Sequence, residues 1–321
     1  MIHSHNLARA LVVFVFLGIA SAQSWAGDIS GPSEVTGSIL VYPYYTSNSG
    51  TGADTRITIA NTEIYRREGA MAPTPSTAYV HIFFIDGRTC NQSDQFVCLT
   101  PNATFTLKAS DFDPEVTGYV IAVAVDKDTG NLVNQNSLIG DAFVADGKYV
   151  GNYGAEAFQA YGNPGINNDG VINFGNLTNG YDYAPTRFAF SIQSPVDAPG
   201  QRIVTASIGG DINAGILFGA SQFGIGAIYN GNERPFGSFA GFHVGSCQAT
   251  SVIGLTAPRV PFGMSILIPS GHIGTMQIPT GPAVGLFMTP IGNNKWSGIR
   301  GLHKNRINTA TLAIPMYIPV C

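Results

Sequence analysis

Charge is scarce in this 321-residue chain: Asp, Glu, Lys and Arg together make up 11% of it, against the roughly 25% of an ordinary soluble domain. The 16 Lys and Arg form no cluster and are outnumbered by 20 Asp and Glu, giving a net charge of −4. That excludes the basic footprint of a nucleic-acid binder and a polybasic membrane patch. Long hydrophobic runs are also missing, except for Ala10–Ala22, which falls short of the roughly 20 residues that span a bilayer. There is no Gly-x-Ser-x-Gly nucleophile elbow and no Cys-x-x-Cys pair, so neither an α/β-hydrolase nor a zinc site is indicated. The sequence contains 39 Gly and 19 Pro, which excludes a protein of long helices and suits short strands joined by tight turns.

Export is written at the start. His3, His5 and Arg9 precede the apolar run Ala10–Ala22, and small residues follow at Ala20-Ser21-Ala22 and Ser24-Trp25-Ala26. This is the pattern of a secretory signal over residues 1–26, cleaved after Ala22 or Ala26. It implies a secreted, periplasmic or cell-surface protein with no membrane span in the mature chain. The four cysteines, Cys90, Cys98, Cys247 and Cys321, all lie beyond it. An even count in an oxidising compartment favours two disulfides over metal binding, and neither metal nor cofactor is expected. Three pairings are possible. Proximity across the polar stretch CNQSDQFVC favours Cys90 with Cys98, which leaves Cys247 with Cys321.

Short β-prone runs punctuated by Gly, Asn, Asp and Pro fill the remainder. Ile57 and Ile59 alternate with Arg56 and Thr58, the mark of a strand with one wet face, whereas Tyr79–Asp86 and Gly118–Asp126 are apolar on both faces and should be central. Further runs are expected at Arg187–Gln193, Arg202–Ile208, Met264–Ile268, Val284–Met288 and Thr311–Ile314. The fold class is all-β, with two immunoglobulin-like or fibronectin-like sandwiches. Their expected bounds are 27–146 and 186–321, joined by a Gly/Asn/Tyr-rich connection over 147–185 with one helical turn near Ala155–Ala160. The runs are too short for an outer-membrane barrel.

The patterns Gly37-Ser-Ile-Leu-Val-Tyr-Pro43, Thr55-Arg-Ile-Thr-Ile-Ala-Asn-Thr62 and His81-Ile-Phe-Phe-Ile-Asp-Gly87, with Cys90 and the terminal Cys321, resemble a group of exported bacterial β-rich proteins. So do Gly118–Asp126, Asn152–Phe158 and Gly301–Lys304. The resemblance implies secretion and a β-rich fold. It brings no activity and no functional residue.

Catalytic constellations are sparse. His81 and His243 sit inside strand-like runs, which favours structural roles, and His303 lies in a basic stretch. Asp111 and Asp113 fall in a turn. Gly165–Asn176 echoes a calcium loop at Asn167, Asp169 and Gly170 but lacks both the opening and the closing carboxylate. One stretch has the flavour of ligand binding: Tyr161, Phe174, Tyr181 and Tyr183 interleave with Asn163, Asn173, Asn176, Asn179 and Asp182. Flat rings can stack on sugar faces while amides satisfy hydroxyls. The chain therefore reads as an exported, non-enzymatic structural or interaction protein of the cell envelope or extracellular space, or as a carbohydrate-binding or adhesive module using Tyr161–Tyr183. Its expected partner is a surface polysaccharide or another envelope protein.

Overall fold

The computed structural model describes residues 35–63, 76–218, 225–230, 235–240, 247–254, 263–292 and 297–321. The signal expected over 1–26 lies outside them, as does His243.

Over the described residues the fold is all-β and sandwich-like, in five sheets, none of which closes on itself. At its centre, β4 (Gln92–Leu99), β3 (Ala78–Asp86), β6 (Thr117–Val125), β1 (Ile39–Thr46) and β9 (Glu156–Phe158) lie antiparallel in that order. All eight residues of β1 are buried, as are most of β3 and β6. Their near-continuous apolar runs serve two cores at once, so the sheet must be covered on both faces.

One cover is the sheet β5 (Thr104–Lys108), β2 (Asp54–Asn61), β7 (Leu138–Asp146), β8 (Tyr149–Gly154). On β2, Ile57 and Ile59 point inward while Arg56 is exposed, the alternation of a strand with one wet face. Ile57, Ile59, Leu107 and Val144 pack there against Leu40, Tyr42, Ile82, Phe84 and Val120. The opposite face carries Ile39, Val41, Phe83, Ile85, Tyr119, Ile121 and Val123. It is covered by β10 (Val171–Phe174), β22 (Ala310–Ala313), β13 (Gly209–Asp211) and β14 (Ile216–Phe218), with β13 and β22 parallel.

Two more sheets face each other across Phe188, Phe190, Ile203, Met276 and Phe287. The first is β16 (Pro235–Ala240), β15 (Ile225–Tyr229), β18 (Ile273–Pro279), β11 (Ala184–Gln193), β21 (His303–Asn308); the second is β17 (Gln248–Ile253), β12 (Gln201–Ser207), β19 (Ala283–Thr289), β20 (Gly298–Gly301). The outer face of the second sheet, through Val204, Leu286, Met288 and Ile299, joins the core of the first sandwich. Two of the three cores thus draw on both halves of the chain.

The stretch 147–185, expected as a connection, holds β8, β9, β10 and the start of β11. The expected helical turn at 155–160 is strand β9, paired with β1. Its Gly and Asn residues end short strands, and buried Tyr149, Tyr153, Ala157 and Phe158 supply the burial that keeps them folded. Met264–Ile268, expected as a strand, begins with the short helix α2 (Met264–Leu267); a first helix, α1, spans Ala109–Phe112.

The disulfides differ from the expected pairing: Cys90 bonds Cys247 and Cys98 bonds Cys321, with Cα atoms 5.7 and 6.1 Å apart. The stretch between Cys90 and Cys98 is itself β4. The strand residues Gln92–Cys98 alone span about 20 Å, far beyond disulfide reach. Closing loops of 157 and 223 residues restricts the unfolded chain by up to about 5 kcal/mol each.

The turn that carries Cys90 has a twin. Asp86-Gly-Arg-Thr-Cys-Asn91 and Asp126-Lys-Asp-Thr-Gly-Asn131 share a spacing and a hydrogen-bond set. In each, the Asp amide donates to the Asn carbonyl at 2.8 Å and the fifth residue's amide returns to the Asp carbonyl at 2.9 Å. Each Asp carboxylate also accepts the amides and hydroxyl that follow it. At Asp86 burial pushes the pKa up, but the Thr89 hydroxyl and the Arg88 and Thr89 amides outweigh it and hold the carboxyl below its usual range. The fifth position is left-handed in both, φ 64° at Cys90 and 70° at Gly130. The Cys90 turn accepts a non-glycine there, and that residue is bridged to Cys247. Peptide mapping of the oxidised protein without reductant will yield the linked pairs Cys90–Cys247 and Cys98–Cys321, and a Cys90–Cys98 peptide would contradict this topology.

Candidate functional site

Around the end of β10, the chain turns at Gly175 and returns through Tyr181 to β11. The Gly175 amide donates to the carbonyls of Tyr181 and Asp182 at 2.9 and 3.1 Å, and Tyr181 bridges back to Phe174. All four aromatic residues singled out from sequence lie in or beside this loop, but only two of them at the surface. Phe174 and Tyr181 are 2% and 0% exposed and pack into the central sheet's second core, with Phe158 4.9 Å from Phe174. They offer no ring face to a ligand. Among the described residues the Tyr181 hydroxyl has no hydrogen-bond partner, and burial pushes its pKa up.

Tyr161 and Tyr183 are half-buried. The Tyr161 hydroxyl donates to Asp182 Oδ1 at 2.7 Å, a bond that raises the phenol pKa. Tyr183 stands beside Gly175. A Cβ at Gly175 would come within 2.8 Å of Thr309 Cγ2 and 2.9 Å of Tyr183 Cδ1, and its φ of 81° also demands glycine.

Next to that ring lies an open depression of about 410 Å³, lined by Asn173, Phe174, Gly175, Asn176, Thr309, Ala310 and Thr311. The register of β10 with β22 builds it, pairing Asn173 with Thr311 and Phe174 with Ala310. Thr309, Thr311 and Asn176 are exposed and Asn173 is half-buried. Asn176 Oδ1 accepts the Thr178 and Asn179 amides at 3.1 Å, which leaves its amide nitrogen as a donor. Sequence reasoning found Asn173 and Asn176 but missed Thr309 and Thr311. Their Thr-x-Thr alternation marks one strand face, but nothing local says which strand will lie beside it.

A charged cluster flanks the depression. Glu156 on β9 pairs with Lys304 and Arg306 on β21. Arg306 also lies 4.7 Å above the Phe158 ring, donates to the Ala157 carbonyl at 3.0 Å and reaches Asp182 at 3.5 Å. Burial draws the Lys304 amine down to about 8. The cluster ties the edge of the central sheet to β21 and orients Asp182, which in turn holds Tyr161.

The remaining candidates stay apart. His81 is buried in β3, while His272, in the loop before β18, and His303, on β21, are exposed. Asp169 Oδ1 caps the Val171 amide at 3.0 Å, as a turn residue does. Asp113 accepts the Tyr45 hydroxyl, and Asp111 is exposed on α1. Among the described residues no group of three or more His, Cys, Asp or Glu could hold a metal ion. None of their helices is long and apolar enough to cross a membrane.

No family model and no curated protein matches the chain. Among solved structures, a lectin from Pleurotus ostreatus in complex with GalNAc is 13% identical, over 90% of this chain and 80% of that one, with a TM-score of 0.14. The apo form of Pleurotus ostreatus lectin is 14% identical over 89% and 78%, again with a TM-score of 0.14. At that score neither likeness carries an argument about fold or function.

Gly175→Ala will strain the loop and push Thr309 and Tyr183 apart, at a cost of about 1–3 kcal/mol. Urea unfolding will read this as a lowered midpoint with an unchanged slope. An unchanged midpoint would show that the loop does not need a left-handed glycine.

Proposed function

We propose that this protein is an exported, non-enzymatic interaction module of the cell envelope or extracellular space, built as a durable scaffold. The observation that carries this reading is the pair of long-range disulfides. Both run from the β3–β4 hairpin into the second half of the chain, one to Cys247 just before β17 and one to the last residue. Such bridges form and persist in oxidising compartments. The scarcity of charge, the sandwich-like sheets and the scattered histidines support a binding or structural role over catalysis.

A second, finer reading is favoured by the depression at β10 and β22: its ligand is a saccharide. One aromatic ring beside several hydroxyl and amide groups on an open surface matches the chemistry of a sugar ring, which has an apolar face and many hydroxyls. The contact set for this reading is Tyr183, Asn173, Asn176, Thr309 and Thr311. Phe174 and Tyr181 belong to the core beneath it. Tyr161 acts by holding Asp182 at the rim.

A broad glycan panel probed with the mature oxidised protein tests the second reading. Binding should fall about tenfold or more in Tyr183→Ala with unfolding behaviour preserved, whereas Phe174→Ala should lower stability by about 3–5 kcal/mol. A blank panel, or binding indifferent to Tyr183→Ala, would remove the saccharide reading. Fractionation of the producing cell tests the first, and recovery of the chain from the reducing cytoplasm with four free thiols would contradict it.

A further inference from the structure

Residues Pro315–Cys321 are held by one covalent bond and a few packing contacts. After the Ile314 amide donates to the Gly170 carbonyl at 3.0 Å, residues Pro315–Cys321 make no hydrogen bond among the described residues. Pro315 and Pro319 have no donor to give. Met316, Tyr317, Ile318 and Val320 are 37%, 51%, 60% and 81% exposed, so burial does little to retain them. Three contacts fix the path: the Met316 side chain packs on Gly170, the Tyr317 carbonyl packs on Gly130, where a Cβ would collide with it, and the Tyr317 ring meets His81 at 5.9 Å. The end is then tied by Cys321 to Cys98 on β4, the edge of the central sheet.

Beneath this strap lies a group the proposed function does not use. His81 is 0% exposed, walled by Phe83 at 4.0 Å and Phe96 at 4.1 Å. Its Nε2 is 2.7 Å from Asp94 Oδ2, while Nδ1 is buried and without a partner. Burial lowers its pKa, with the Asp94 bond opposing, so the ring is neutral at pH 7. The Nε2 hydrogen is then assigned to Asp94, and the Nδ1 lone pair points at nothing. Such a buried acceptor calls for an explanation.

The two disulfides differ in access. Cys90 and Cys247 are 3% and 0% exposed, whereas Cys98 is half-buried and Cys321 is exposed. We propose that Cys98–Cys321 is a thiol-exchange site that operates the C-terminal segment as a releasable strap over His81, with a small dithiol as its co-reactant. A dithiol thiolate attacks Cys321 Sγ, Cys98 leaves as a thiolate and takes up a proton, and the second dithiol sulfur displaces Cys321. The dithiol ends as its cyclic disulfide and the protein gains two thiols. The freed segment, with no hydrogen bonds to hold it, lifts from β3 and β4. His81 Nδ1 then faces solvent as an acceptor, with Asp94 fixing the ring from behind. The Cys90–Cys247 bridge stays closed and keeps the cores assembled.

The test treats the oxidised mature protein with low dithiothreitol, alkylates free thiols, applies diethylpyrocarbonate and maps peptides. Cys98 and Cys321 should be alkylated about tenfold or more ahead of Cys90 and Cys247, and His81 modification should rise in step with them. Cys321→Ser should show the same His81 reactivity without reductant. Selectively reduced wild-type protein gives the same readout if that variant folds poorly. Opening of both disulfides together would overturn the proposal. So would a His81 that stays protected while Cys98 and Cys321 are free and Cys90–Cys247 is intact.

Discussion

The structure depends on a sheet that cannot tolerate water on either face. β1, β3 and β6 turn apolar side chains in both directions, so the central sheet is stable only between two covers. Burial of that surface, at roughly 25 cal/mol per Å² of apolar area, is the main force holding the covers in place. One cover is local in sequence, drawn from β2, β5, β7 and β8. The other is assembled from β10, β13, β14 and β22, segments that lie far apart along the chain. The second sandwich is joined to the first because Val204, Leu286 and Met288 turn the outer face of its inner sheet toward Leu40 and Tyr42.

Covers assembled from distant segments carry a high loop-closure cost, and the disulfides offset it in the unfolded state. Cys90 sits on a strained left-handed turn position and bridges to Cys247; Cys98 at the sheet's edge captures the chain end. The twin turns at Asp86 and Asp126 stand at the start of both attachments. One turn places the buried disulfide and the other packs on the Tyr317 carbonyl. The same topology produces the candidate site, since the Asn173–Thr311 pairing exists only because β22 comes back to lie beside β10.

What the sequence made legible was the part governed by local pattern. The runs at Tyr79–Asp86 and Gly118–Asp126 read as central strands because apolar residues on both faces admit no other placement, and Ile57 and Ile59 marked β2 through alternation. The stretch Gln92–Leu99 was missed because an edge strand with Asp94, Gln92 and Gln95 reads as a polar loop. That error carried the cysteine pairing with it: two cysteines eight positions apart look adjacent only if the chain between them bends. Met264–Ile268 reads equally as strand or helix, since a short apolar run has no decisive period. At the site, Tyr183, Asn173 and Asn176 stood out by composition. Burial separated Phe174 and Tyr181 from them, and burial is a property of the assembled sheets. Thr309 and Thr311 could be found only through topology.

Native-state hydrogen exchange of the oxidised mature protein tests most directly whether the central sheet and both covers form one cooperative structure. Amides of β1, β3 and β6 should exchange most slowly, and those of β12, β19 and β22 should open with the same free energy, reporting a single global unfolding. If the amides of residues 186–321 opened together at a clearly lower free energy while β1, β3 and β6 stayed protected, the shared-core account would be contradicted.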